Sequence, residues 1–251
     1  DMMKTRLSAN AVPVQIPVGE GDLFTGIIDL ITMRSRIFAE GSAGVTWDDM
    51  EIPHDLQKKA QECRTKMLEA VSDEDDTLLE KYLEGKEISP AEIKTVLRRA
   101  CLKVSLVPVL CGSSFKNKGV QMLLDAIVDY LPSPVDLPPV PGTHPVSGEA
   151  LTRNADANDP LSALAFKIAT DPFVGKLTFI RVYSGVVTSG SYVFNATKNE
   201  KERIGKLVRM HANKQEIVDE IRAGDIGAAV GLRKTETGDT VCDEKKPIIL
   251  E

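Results

Sequence analysis

The sequence predicts an α/β unit of short strands and amphipathic helices, joined to an all-β barrel. Three observations predict it. Apolar residues recur at three- and four-residue steps through much of residues 53–131, short β-branched runs follow residue 160, and seven of the fourteen prolines fall between Pro132 and Pro160. A chain of 251 residues has room for two domains at ~100 to 200 residues each. Its 42% apolar and 27% charged content excludes disorder as the overall state. The 31 basic and 37 acidic side chains leave a net charge of −6, so nucleic-acid contact, if made, is local rather than a coating of the whole molecule.

The chain opens on Asp1 without an initiating Met and reads as a piece of something longer, with Met3 and Leu7 in a helical end. From Val12 to Ile37, short apolar runs separated by turns such as Gly19-Glu20-Gly21-Asp22 predict strands. Between Pro53 and Ser72, the set Leu56, Ala60, Cys63, Met67, Ala70 and Val71 forms one stripe of a helix. A second helix is predicted over Ser72–Glu84, stopped by Gly85, with the acidic run Asp73-Glu74-Asp75-Asp76 meeting the dipole in its first turn. Ser89-Pro90-Ala91-Glu92 is a capping box that starts a third helix, whose buried stripe is Ile93, Val96, Leu97, Ala100 and Cys101. Leu106–Leu110, Cys111–Phe115 and the periodic set Val120, Leu123, Leu124, Ile127, Val128 and Leu131 read as strand, turn and helix. Ligands bind at such turns in open α/β sheets.

Residues 132–160 are expected to form a stiff, extended connector. Beyond it, Leu164, Phe166 and Ile168 alternate, Leu177–Tyr183 is β-branched and aromatic, and Ile226, Ala228, Val230 and Leu232 share one face against Gly227, Ala229 and Gly231. Many short strands with permissive glycines predict a small closed barrel. Lys198, Lys201, Arg203, Lys206, Arg209 and Lys214 form a basic ribbon on it, opposed locally by Glu200 and Glu202. A solvated hairpin and a phosphate-tracking edge use the same residues, and both readings stand. Tyr192 and Phe194 are expected in the core, which leaves base stacking with little support.

Several chemistries lack their residues. The sequence has no GxxxxGK[ST] phosphate cradle and no DxxG. Asn213-Lys214-Gln215-Glu216 approximates a guanine-reading NKxD but reads as a charged surface loop. His54, His144 and His211 are too dispersed for a triad. Cys63, Cys101, Cys111 and Cys242 have no zinc-ligand spacing and fit a reducing cytosol. No apolar run approaches the ~20 residues of a membrane span, and the opening residues lack the apolar core of a secretory signal.

The run Cys111-Gly112-Ser113-Ser114-Phe115-Lys116-Asn117-Lys118-Gly119-Val120-Gln121, continuing through Leu131-Pro132-Ser133-Pro134, closely resembles bacterial translation elongation factor G. Gly175-Lys176-Leu177 through Arg181-Val182-Tyr183-Ser184-Gly185, and Gly224-Asp225-Ile226 with Thr237-Gly238-Asp239-Thr240, resemble domain II of translational GTPases. The resemblance implies an α/β, partial P-loop GTPase domain over 1–131 with an inserted subdomain at about 24–104, a proline-rich linker over 132–160, and the translation-factor barrel over 161–251. It implies that Ser113, Ser114 and Phe115 contact guanine, and that Lys198, Lys201, Arg203, Lys206 and Arg209 are candidates for RNA contact. The parent would be a cytoplasmic, monomeric GTPase that uses GTP/GDP and Mg to drive ribosomal translocation. Its barrel would touch small-subunit ribosomal RNA, and its inserted subdomain the acidic stalk protein. This chain, without phosphate loop, switches or NKxD, is expected to bind no cofactor tightly and to hydrolyse no GTP.

The mitochondrial factor, the tetracycline-resistance ribosome protectors and a release-factor homologue share both units, and a binding-only RNA module is the alternative of a different class. Truncation is expected to leave the strand Leu106–Leu110 and the helix Gly119–Leu131 with an uncovered apolar face that invites self-association.

Overall fold

A computed structural model describes residues 2–171, 175–211 and 214–250, so Asp1 and Asn213 lie outside the described residues. The chain divides into two compact units between Leu131 and Pro132.

In the first unit, a short helix α1 (Met2–Leu7) precedes β1 (Ala11–Pro13), β2 (Gln15–Val18), β3 (Gly26–Asp29), β4 (Arg34–Phe38) and β5 (Trp47–Met50). Strands β2 to β5 form an antiparallel sheet in sequence order. The β3–β4 turn is tied by Asp29, whose Oδ1 accepts from the Ile31 N–H at 2.8 Å. β5 was not legible in the sequence, since its Trp-Asp-Asp-Met run is mostly exposed and carries no alternation.

Helix α2 (His54–Ser72) buries Ala60, Met67 and Val71 in the core cluster that also holds Val12 of β1 and Ile16 and Ile28 of this sheet. Its Arg64 also donates to the carbonyls of Leu30 and, at 2.8 Å, Ile31. The next helix, α3 (Asp76–Leu83), starts later than the sequence predicts, because Ser72 is still the last residue of α2. Its N-cap is Asp75, which accepts from the Leu78 N–H at 2.9 Å. Only Asp76 of the acidic run lies in the first turn, while Asp73 caps the preceding helix. Helix α4 (Pro90–Leu102) begins with the full capping box and buries Ile93, Val96, Leu97 and Ala100.

Strand β6 (Val107–Val109) pairs in parallel with β1. Helix α5 (Val120–Tyr130) follows, and here the periodicity misleads. Met122 and Tyr130 are its buried residues, whereas Leu123, Leu124, Ile127 and Val128, and Leu131 just beyond, are exposed. The stripe exists on the helix, but the first unit does not cover it.

In the second unit, the expected bare connector carries structure. β7 (Val140–Thr143) and β8 (Ala150–Arg153) form a hairpin that pairs with β19 (Ile249–Leu250). The prolines punctuate rather than stretch the segment: Pro134 opens a 3-10 turn, Pro145 lies in the hairpin turn, and Pro160 precedes β9 (Ser162–Asp171). The remaining strands are β10 (Gly175–Ser184), β11 (Val186–Thr188), β12 (Tyr192–Asn195), β13 (Glu200–Arg203), β14 (Lys206–His211), β15 (Lys214–Val218), β16 (Glu220–Arg222), β17 (Ile226–Val230) and β18 (Thr240–Cys242).

Eight strands form one antiparallel sheet in the order β13-β12-β18-β9-β10-β17-β14-β15, with β11 and β16 as a separate ribbon. A register shift between Phe179 and Ile180 on β10 marks a bulge, which increases local twist and helps the sheet curl. Ala163, Ile180, Val182, Ile204, Leu207, Ile221 and Val241 fill its interior. The predicted common face of β17 is not the core face: Ile226 is exposed and Ala229 points inward. Gly227 faces inward too, since a Cβ there would meet the Ile221 side chain at 2.1 Å. Gly231, at φ +110°, then breaks the two-residue alternation and lets Leu232 join the interior.

No helix among the described residues is long and apolar enough to cross a membrane.

Candidate functional site

The turn predicted to read guanine lies between β6 and α5. The Ser113 N–H donates to the Lys118 carbonyl at 2.8 Å, and the Lys118 N–H returns to the Ser113 carbonyl at 3.0 Å. Lys118 Nζ reaches the Phe24 carbonyl, Lys116 Nζ reaches Asp22, and Asn117 Nδ2 reaches the Ala43 carbonyl, so the loop is held on the neighbouring sheet. Gly112 and Gly119 allow the close approach, because a Cβ on Gly112 would lie 2.8 Å from the Lys118 carbonyl oxygen.

The three predicted residues therefore differ. Ser113 has its amide committed within the loop. The amides of Ser114 and Phe115 meet no protein acceptor among the described residues, and the Phe115 ring is 98% exposed. Beside them lies a pocket of about 240 Å³ lined by Leu110, Cys111, Ser113, Ser114, Lys118 and Leu123. Burial pushes the Cys111 thiol up to about 11, so this wall is uncharged near neutrality. Two free amides fit the carbonyl edge of a base. A triphosphate would need several converging cationic or amide donors, and the pocket offers one ammonium already engaged with Phe24. No cluster of three acidic, His or Cys side chains able to hold a metal exists among the described residues.

The basic ribbon on the second unit resolves into paired and unpaired members. Lys198 contacts Glu236 at 2.7 Å and Asp239 at 3.6 Å, and these carboxylates, Glu236 foremost, raise its pKa. Lys201 pairs with Glu244 at 2.5 Å, and Arg209 with Asp225 at 3.3 Å. The sequence could not show this compensation, since Asp225, Glu236, Asp239 and Glu244 lie downstream of the ribbon. Arg203 and Lys206 have no carboxylate partner among the described residues, and Arg203 donates only to the Gly190 carbonyl. The Lys214-Gln215-Glu216 part of the NKxD-like motif lies on the exposed strand β15.

Arg203 does not stand alone. A groove of about 530 Å³ is lined by Lys201, Arg203, Arg233 and Lys234, with Gly205 and Gly231 among the residues between them. Arg233 and Lys234, which no sequence pattern singles out, sit on the loop between β17 and β18. That loop is anchored from beneath. Glu202, only 7% exposed, accepts from the Lys234 N–H at 2.8 Å and from Thr235 Oγ1 at 2.5 Å. Asn195 Nδ2 donates to Thr235 Oγ1 and to Asp239, and Lys176 Nζ donates to the carbonyls of Arg233 and Thr235. The buried carboxylate is thus spent on the loop backbone and a hydroxyl rather than on a basic side chain, which leaves the groove cationic. A Cβ on Gly231 would lie 2.8 Å from the Gly205 nitrogen and 2.9 Å from the Arg203 carbonyl oxygen, so the close crossing of the two segments requires glycine.

Comparison with known proteins places this unit. Residues 175–242 match the family of elongation factor Tu domain 2. Over 98% of the chain, the structure resembles a crystal structure of a protein from Thermus thermophilus, with a TM-score of 0.74 and 25% sequence identity. The chain spans about a third of that protein's length, 33%. The second unit has the barrel-like fold of elongation factor Tu domain 2, and that family match supports a relationship to translation factors.

Proposed function

We propose that this chain is part of a translational GTPase of the elongation factor G type, working in the cytoplasm on the ribosome during translocation. The observation that carries the proposal is the match of residues 175–242 to a translation-factor barrel, on which a groove with two arginines unpaired by carboxylates is presented. In this reading the barrel meets small-subunit ribosomal RNA through phosphate contacts. The first unit supplies the edge of a guanine site through the amides of Ser114 and Phe115, and its inserted sheet and helices meet the acidic stalk protein. GTP and magnesium belong to the parent: these residues recognise the base edge and leave the phosphates to groups outside them. The chain by itself therefore holds nucleotide weakly and does not hydrolyse it.

Competition tests the role. Added in excess to ribosomes translocating with intact elongation factor G, the chain is expected to slow translocation, as read by the shift of a primer-extension stop on the messenger RNA. Unchanged translocation at saturating chain would contradict the proposal. A parallel titration with fluorescent GTP separates the nucleotide claim, for which micromolar binding is the contrary result.

A further inference from the structure

Tyr192, expected in the barrel core, lies on its outside. Its ring is 63% exposed on β12, although its neighbour Val193 is fully interior. In the β12–β13 ladder, Tyr192 stands directly opposite Arg203, and Phe194 opposite Lys201. Directly paired residues share a face, and so do residues two apart, so Tyr192, Lys201 and Arg203 lie on one side of the hairpin. Glu202 lies on the other side, buried under the β17–β18 loop. Lys201 Nζ sits 5.8 Å from the Tyr192 ring centroid, which draws a cation to one part of the aromatic surface. The same Lys201 and Arg203 form a wall of the groove shared with Arg233 and Lys234.

The groove's charges are unequal. Lys201 and Lys234 are occupied by the exposed Glu244 and the half-buried Glu200. Arg203 and Arg233 have no carboxylate partner among the described residues. Two unpaired guanidinium groups line the groove, and the exposed Tyr192 stands opposite one of them, Arg203, in the β12–β13 ladder. Guanidinium groups match the fork geometry of phosphate oxygens. An exposed ring beside them adds a stacking platform, which a duplex with its bases already stacked does not use.

We infer that Tyr192, Arg203 and Arg233 form a binding surface for single-stranded RNA, with one base stacked on Tyr192 and adjacent phosphates held by the two arginines. This deepens the RNA-facing part of the proposed function and rests on it for the identity of the RNA. It also reassigns the contact residues: Arg209, bound to Asp225, is a spectator, Lys198 is spent on Glu236, Asp239 and the Lys234 carbonyl of the β17–β18 loop, and Tyr192 and Arg233 enter. The loop network of Glu202, Thr235 and Asn195 positions Arg233 without touching the ligand.

The test uses the full chain and fluorescence anisotropy with a labelled oligouridylate, a labelled RNA duplex and polyglutamate as a competitor. Tyr192→Ala is expected to weaken oligouridylate binding about tenfold, as loss of one stacked base does, while Tyr192→Phe keeps it. Arg233→Glu and Arg203→Glu should each weaken binding and lower the salt slope, by about 0.7 for each phosphate no longer neutralised. Arg209→Glu and the first-unit control Lys58→Glu should stay within about twofold, inside the scatter of surface charge effects. All these side chains are on the surface, and circular dichroism confirms that each variant is folded.

Several results would overturn the surface: no oligouridylate binding by the unmodified chain, equal binding by the Tyr192→Ala and Arg233→Glu variants, equal affinity for the duplex, or displacement by polyglutamate. The last would mark an acidic protein as the partner. The translocation competition separates this from the wider reading. If the unmodified chain and these variants compete equally, the surface falls and the ribosomal role stands; if oligouridylate binding is lost in the variants while the unmodified chain does not compete, the surface stands and the ribosomal role falls.

Discussion

Glu92 shows how much local structure a single side chain can set. Its carboxylate accepts from the Ser89 N–H at 3.0 Å and from Ser89 Oγ at 2.7 Å, completing the reciprocal cap of α4. It also bonds Lys81 of α3, so one residue both starts a helix and ties two helices together. The Lys81 ammonium first, and then Ser89, hold its carboxyl down from an ordinary 4.5 to about 2. A carboxylate whose folded-state pKa is depressed contributes stability above its unfolded value and loses it as pH falls toward the folded one. Resistance to urea should therefore weaken progressively between pH 4.5 and about 2, and Glu92→Gln should flatten that part of the acid limb. An unchanged acid limb in the variant would show that Glu92 is not held in this way. The cap was legible because its parts lie within four consecutive residues. Tyr192 was not: β12 is predicted correctly as a strand, but the exposure of its ring depends on which strands cover which face.

Helix α5 makes the same point at the scale of an element. Periodicity establishes that Leu123, Leu124, Ile127 and Val128 lie on related turns, and amphipathic patterning normally marks the buried face. The structure instead buries Met122 and Tyr130 and leaves Val128 76% exposed. Sequence shows which residues share a face, whereas burial depends on what packs there. An uncovered apolar stripe on an eleven-residue helix favours self-association. Light scattering should report a concentration-dependent dimer, and replacing Leu124 and Val128 with Glu should shift it to monomer with little change in unfolding midpoint. A monomer at all concentrations, or a large loss of stability in the variant, would contradict the exposed placement. Residues 132–160 differ from expectation for a related reason, because prolines at turns and strand entries are compatible with the hairpin of β7 and β8.

Across the whole molecule, the chain divides between Leu131 and Pro132, where helical periodicity gives way to proline-rich sequence. The glycine-floored groove was not legible in the sequence. Arg203 and Arg233 are brought together only because Gly231 passes against Gly205, a tertiary contact with no local signature. Charge counting also overstated the ribbon, since its carboxylate partners come from later in the chain. The proposed role on the ribosome rests on a convergence of two units: the barrel match over residues 175–242 and the resemblance read at Cys111–Pro134.

Pelleting of the chain with separated bacterial ribosomal subunits over a salt series gives the sharpest test of that convergence. Retention on the small subunit is expected, weakening steeply as salt rises, the signature of phosphate contacts through the barrel. Failure to pellet with either subunit at low salt would contradict it.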